Sequence, residues 1–198
     1  MNLRIENYDP AKHDARTVAE LIYAADDEFN GMLYGDRESG VAVIAELMQM
    51  EKTYFSPENI YCAIGDGGVI GVMVGYTGGQ KGELDASSGK GFMHVLGFWK
   101  FLKRMPTFFR MDKIVTKDIE ADSLYMNSFC VDPAMRGRGI GEQMIAYAAE
   151  RYPRVCLDVN IHNSRAQKFY KRVGFKIQAE NTIWYKKEKI GTFSMVKG

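Results

Sequence analysis

A chain of 198 residues, 46% apolar and 26% charged, is long enough to bury a full core and has the composition of a globular protein rather than a disordered or fibrous one. Its formal charge of +1 supplies no overall field for nucleic acid or an anionic membrane, so neither partner is expected. No run approaches the ~18 apolar residues of a membrane span, and the stretch from Met1 to Glu6 lacks the apolar core of a signal peptide, so a cytoplasmic location is the expectation.

Leu3 to Tyr8 reads as a first strand, turned at Asp9-Pro10. Residues 14–25 carry a helical pattern through Val18, Leu21, Ile22 and Ala25. An acidic connection comes next, from Asp26-Asp27-Glu28 to Gly35, and a second helix is predicted over 38–50, with Val41, Ile44, Ala45 and Met48 on one face. The apolar runs 59–64 and 69–76 flank Gly65-Asp66-Gly67-Gly68, a hairpin signal. The Gly-, Ser- and Lys-rich stretch 77–91 is expected to be a mobile loop. Over 92–113, Phe92, Val95, Leu96, Trp99 and Leu102 recur at helical spacing among lysines and arginines, and Pro106 is expected to split the segment into two helices.

From residue 123 the pattern is strand, helix, strand: 123–131, 139–152 ended by Pro153, and 155–161. Such a unit pairs its strands in parallel through a right-handed crossover. A helix over 164–173 closes at Gly174, and 175–178 with 182–187 read as a last antiparallel pair. The three cysteines, Cys62, Cys130 and Cys156, sit in apolar stretches and read as buried free thiols. His13, His94 and His162 show no metal-ligand spacing, and no metal is expected.

The chemistry-bearing stretch is Asp132-Pro133-Ala134-Met135-Arg136-Gly137-Arg138-Gly139-Ile140-Gly141. Proline ends the strand, because it cannot donate to a sheet ladder. Glycines at alternate positions let a ligand approach the backbone, and the helix after them opens with unpaired N–H groups and the positive end of its dipole. That combination suits a pyrophosphate, with Arg136 and Arg138 adding charge at the mouth. The dinucleotide fingerprint is excluded by Glu142 at its last glycine position, and the P-loop pattern is absent. The turn taken alone leaves a plain structural corner open.

Arg136-x-x-Gly139-x-Gly141 resembles the Q/R-x-x-G-x-G/A signature of the GNAT acetyltransferases. The segments Asn160-Ile161-His162-Asn163-Ser164-Arg165-Ala166, Phe169-Tyr170 and Gly174-Phe175 are similar to the family's chain downstream of that signature, and 124–133 is similar to the strand before it. The resemblance is specific over 123–175, looser over 1–76 and absent over 77–117. It implies an α/β fold of mixed, α+β-like kind, the GNAT-type acyl-CoA N-acyltransferase fold. Its mostly antiparallel sheet is splayed between the fourth and fifth strands. The whole chain, 1–198, is then one domain with a helical insertion at about 77–117.

The resemblance further implies acetyl-CoA as cosubstrate and an amine as acceptor, with direct transfer of the acetyl group. Backbone groups of Phe129, Cys130 and Val131 would pair with the pantetheine arm like an added strand, and amides of Arg136, Gly137, Arg138, Gly139, Ile140 and Gly141 would hold the pyrophosphate. Tyr170 would protonate the leaving thiolate; by its spacing with Ala166, Phe169 and Val173 alone it reads as core. Asn163 reads first as a helix N-cap, and the resemblance adds a contact to the pantetheine or to a water near the thioester; Asn160 is a secondary candidate.

Where some members of the family carry a glutamate base on the fourth strand, this chain has Tyr125, which leaves Glu120, Asp122 or no dedicated base. A non-catalytic acyl-CoA sensor therefore stays as the alternative function. The basic arm 98–113 reads as a lid over the acceptor cleft or as a membrane- or partner-docking element. Asp26, Asp27 and Glu28, with Phe29, Met32, Leu33 and Tyr34 after them, read equally as a solvated acidic helix end or, since the resemblance places this connection beside the acceptor pocket, as a site for a cationic acceptor. The sequence leaves the oligomeric state open, a homodimer included.

Overall fold

The computed structural model describes residues 3–198; Met1 and Asn2, the start of the stretch read for a signal peptide, lie outside the described residues. In chain order the elements are β1 (Arg4–Asn7), α1 (Ala15–Ala24), α2 (Asp27–Tyr34), α3 (Arg37–Leu47), β2 (Ile60–Gly65), β3 (Gly68–Thr77), α4 (Gly78–Leu96), α5 (Phe98–Met111), β4 (Leu124–Val131), α6 (Ile140–Ala149), β5 (Val155–Asn160), α7 (Ser164–Arg172), β6 (Lys176–Tyr185) and β7 (Glu188–Lys197). The strands form one sheet in the order β1-β2-β3-β4-β5-β7-β6. Every pairing is antiparallel except β4 with β5, which is parallel as the strand–helix–strand pattern requires.

Alternation along the strands sends side chains to two cores. Ile60, Cys62 and Ile64 of β2, with Val72 and Val74 of β3, pack under α1 and α3 against Val18, Ile22, Ile44 and Leu47. Ala63, Met73, Leu124 and Met126 face the other way, onto Ile140, Met144 and Ile145 of α6 and Tyr170 of α7. Each large aliphatic side chain buried in this way contributes about 1.5–3 kcal/mol.

Four expectations are corrected. The acidic connection after α1 is itself a helix, α2: the Asp26 side chain accepts from the Phe29 N–H at 3.0 Å, and Asn30 donates to the Tyr23 and Ile22 carbonyls, tying α2 onto α1. The stretch 77–91 is not a loop but most of α4. Five glycines in that helix each cost ~1 kcal/mol against alanine. A capping box between Thr77 and Gln80 starts it, and Leu84, Ser88, Gly91 and Phe92 bury its inner face.

The break between the insertion's two helices falls at Gly97, whose φ of +74° is left-handed, and Pro106 sits inside α5. The last two strands are longer than the alternation suggested. They turn at Lys186-Lys187, both at positive φ, and β7 slots between β5 and β6.

Candidate functional site

The feature that organises the site is a split in the sheet. β4 and β5 pair over only three rungs, Leu124 with Val155, Tyr125 with Cys156, and Met126 with Leu157. The next residue of β4, Asn127, is the extra residue of a bulge: the register against β3 jumps between Val74–Ser128 and Gly75–Met126. A bulge bends its strand and strengthens the local twist, so β4 turns away from β5 where the bulge sits. From Asn127 to Val131 the β5-facing edge of β4 is left open while its other edge stays bonded to β3.

That split is the floor of a cleft of about 950 Å³. Phe129, Cys130 and Val131 all line it, as do Asn163 and Tyr170 across from them. Phe129 stacks on Phe169 with ring centroids 6.0 Å apart. Cys130 is buried, and burial pushes its thiol up, so it is an inert wall rather than a nucleophile. All three cysteines are free.

At the cleft mouth, Arg136, Gly137, Gly139, Ile140 and Gly141 contribute to the lining, whereas the Arg138 side chain is exposed and does not. Arg136 Nε donates to the Val131 carbonyl at 3.0 Å, so its guanidinium closes the turn as well as charging it. Gly139 has φ +76° and is the residue before α6, and a Cβ added there would meet only Gln143 Nε2 at 3.9 Å. At Gly141 the constraint is packing, because a Cβ would lie 3.0 Å from the Phe169 ring. Among the described residues no backbone carbonyl accepts from the N–H groups of Gly137 through Gly141. These five amides and the open edge of β4 fit a pyrophosphate joined to an extended, amide-bearing arm, as in coenzyme A.

Tyr170 is buried among Phe129, Phe169 and Phe175 at ring distances of 5.3–6.3 Å, and burial pushes its phenol well up, so it stays protonated at neutral pH. Asn163 caps α7, its Oδ1 accepting from the Ala166 N–H at 3.0 Å. Asn160 is occupied: its Nδ2 donates to Glu28 Oε2 at 2.9 Å and its Oδ1 accepts from the His162 N–H.

Neither base candidate reaches the cleft. Glu120 is ion-paired with Arg154 and Asp122 is exposed; neither lines it. The acidic trio is also divided by α2. Asp26 lines the cleft, Asp27 turns out to Arg37 at 3.3 Å, and Glu28 holds Asn160. Burial, with the charge of Glu28 adding to it, pushes the Asp26 carboxyl up against the lowering effect of the Phe29 N–H.

Asn127 and Asp158 are among the lining residues that escape sequence reasoning. Asn127 carries no local signal, since a bulge is a property of the pairing. Asp158, in the middle of β5, accepts from the Thr116 N–H at 2.7 Å, Thr116 Oγ1 at 2.9 Å and Ser194 Oγ at 3.0 Å. A carboxylate inside an apolar strand was the available signal for it.

Residues 56–177 match the family model described as acetyltransferase (GNAT) domain. Among curated proteins, the peptidyl-lysine N-acetyltransferase YjaB of Salmonella typhimurium is 34% identical over 59 residues, 30% of this chain and 41% of that protein. YjaB of Escherichia coli is 34% identical over 59 residues and 40% of its length, so the match spans about two fifths of these relatives. Among solved structures, an N-acetyltransferase from Staphylococcus aureus Mu50 is similar with a TM-score of 0.71 at 20% identity, over 98% of this chain and 100% of that one. The apo form of Escherichia coli YjaB is similar with a TM-score of 0.56 at 16% identity, over 99% and 97%.

Proposed function

Because the chain belongs to the GNAT acetyltransferase family, whose domain model matches more than half of it, we propose that it moves the acetyl group of acetyl-CoA directly to a primary amine. The observation that carries this reading is the opening of β4 from β5 at Asn127, with the glycine turn at one end of the cleft and Tyr170 on its wall. Acetyl-CoA supplies an activated thioester. The open edge of β4 from Asn127 to Val131 and the amides of Gly137 to Gly141 would hold its arm and pyrophosphate, leaving the thioester beside Tyr170.

The amine nitrogen attacks the thioester carbonyl carbon, the carbon–sulfur bond breaks, and the Tyr170 hydroxyl gives its proton to the departing sulfur. The amine attacks in its neutral form, having given one proton to water, and the second proton its nitrogen loses passes through water to the Tyr170 oxygen, which restores the phenol. A phenol pushed up by burial keeps its proton at neutral pH, so it has one to give and cannot serve as the base.

The acceptor we propose is a cation on an aliphatic stem, such as a lysine side chain. Asp26 is the carboxylate of the acidic trio that lines the cleft, and Phe29, Leu33, Met111 and Ile114 add apolar surface to the same cleft. The relatives called peptidyl-lysine N-acetyltransferase agree in acceptor class.

The test is CoA release on a panel of lysine peptides, polyamines, acidic amino acids and neutral amines. Turnover on cationic amines supports the reading. Tight acetyl-CoA binding with no turnover on any amine would leave a sensor instead, and a preference for acidic amino acids would remove the acceptor assignment.

A further inference from the structure

Five of the seven exposed large hydrophobic side chains of the described residues come from one segment of the insertion, Met93 to Phe109. Within α5, Phe98, Trp99, Leu102 and Phe109 are 57%, 73%, 49% and 62% exposed. Phe98, Leu102 and Phe109 stand at helical spacing on one stripe, with Trp99 on its flank. The opposite side of the helix is already used. Phe108 packs on Phe92 and Phe101, and Arg104 donates to the Leu33 carbonyl at 2.8 Å. The outward stripe is therefore a second apolar face, beyond what the core of this chain requires.

The border of that stripe is basic. Lys103 and Arg110, one stripe further round the helix, and Lys100 beyond them form no ion pair among the described residues, nor does Lys113 just past the helix. From Lys90 to Lys117 there are seven lysines and arginines and one acid, Asp112, in a chain whose net charge is only +1. The charge is thus concentrated on the segment that exposes the aromatics.

We infer that α5 is a docking element for an anionic lipid surface, lying in the plane of the interface. Phe98, Trp99, Leu102 and Phe109 sit at the boundary of headgroups and acyl chains, and Lys103 and Arg110 sit against lipid phosphates. The helix does not cross the bilayer: 14 residues span about 21 Å, and no helix among the described residues is long and apolar enough to do so. This departs from the expectation drawn from net charge, because folding gathers the positive charges of the insertion onto one exposed element.

A second copy of the chain is the weaker occupant. A two-fold contact through this helix would set Lys103 and Arg110 of each copy against the same basic border of the other. Met111 and Ile114, directly after the stripe, line the cleft, so docking holds one wall of the cleft beside the bilayer.

The experiment uses the full chain with vesicles of phosphatidylcholine alone and with roughly one third phosphatidylglycerol. Co-sedimentation is measured together with tryptophan emission in a Trp184→Phe background, which leaves Trp99 as the sole reporter. The expected result is sedimentation with the anionic vesicles, a blue shift of Trp99, and quenching by bromine-labelled acyl chains. Trp99→Ala with Phe109→Ala should weaken partitioning at least tenfold, and Lys100→Gln with Lys103→Gln at least threefold at low salt. All four positions are exposed, so circular dichroism and melting should stay as in the parent. The inference is overturned if the parent does not sediment with anionic vesicles or if the aromatic variant sediments equally. Light scattering that shows a dimer abolished by the aromatic variant, without vesicle binding, would likewise overturn it in favour of a second copy.

Discussion

The Tyr125 hydroxyl donates a 2.8 Å hydrogen bond to the Asp158 carboxylate, joining β4 to β5 by side chains where their backbones part. The same carboxylate accepts from Thr116 and Ser194, so the return segment of the insertion, β4, β5 and β7 meet on one charge. Burial, together with the adjacent Asp158 charge, pushes the Tyr125 phenol far up, so it remains a donor. Tyr125→Phe removes that bond alone, and a hydrogen bond to a charged group contributes about 1.5–3 kcal/mol. Urea unfolding should show a loss in that range. A change within experimental error would mean that this bond adds nothing to the junction of β4 and β5.

Gly139→Asp should weaken acetyl-CoA binding at least about tenfold, or ~1.4 kcal/mol. Aspartate tolerates the left-handed φ of +76° better than most residues, and space for a Cβ exists, so the variant folds. Its carboxylate would face the amides that are free to bind phosphate and repel the pyrophosphate. Calorimetry on the folded variant checks this, and equal affinity would take the turn out of the site.

Tyr170→Phe keeps the ring between Phe169 and Phe175 and deletes only the hydroxyl. With the proton donor gone, kcat should fall ~10²–10⁴-fold while CoA affinity is unchanged. Steady-state kinetics with a binding isotherm separates the two quantities. Near-native kcat on the best amine would retire the role.

Asp26→Asn tests the cleft carboxylate, since asparagine still caps α2. The folded-state pKa of Asp26 is raised, so the folded chain holds that proton more tightly than the unfolded chain. Its contribution to stability is fully present below the unfolded carboxyl value of about 4 and is lost as pH rises through the folded value. The variant should therefore gain on the wild type in unfolding free energy as pH goes from about 4 to about 7. At neutral pH it should raise KM for a cationic amine and leave acetyl-CoA binding intact. A stability gap independent of pH, or an unchanged KM, would show that Asp26 is a cap and nothing more.

The parts of the fold legible in the sequence obey local rules. The start of α6 behind Gly139 and the Asn163 cap of α7 rest on residues within a few positions of one another, and the parallel β4–β5 pair follows from the strand, helix, strand order between them. The α4 helix is not legible in the sequence, because five glycines argue against it locally, whereas its formation is decided by contacts such as Ser88 Oγ accepting from the Tyr54 N–H at 3.0 Å, 34 positions away. The break at Gly97 instead of Pro106 has the same origin, since Phe101 and Phe108, on either side of the proline, both pack inward.

The sequence by itself determined the glycine turn, the strand–helix–strand unit around it and the aromatic pair Phe169-Tyr170, because turn dihedrals, helix termini and short-range spacing are set by neighbouring residues. Only the tertiary structure decided where the sheet opens, which carboxylate of the Asp26-Asp27-Glu28 trio meets the cleft, and that the apolar stripe of α5 faces outward. Each of those depends on pairing register or on burial against residues far along the chain. A bulge at Asn127 exists only relative to β3, and an exposed Trp99 exists only once Phe108 has taken the inner face.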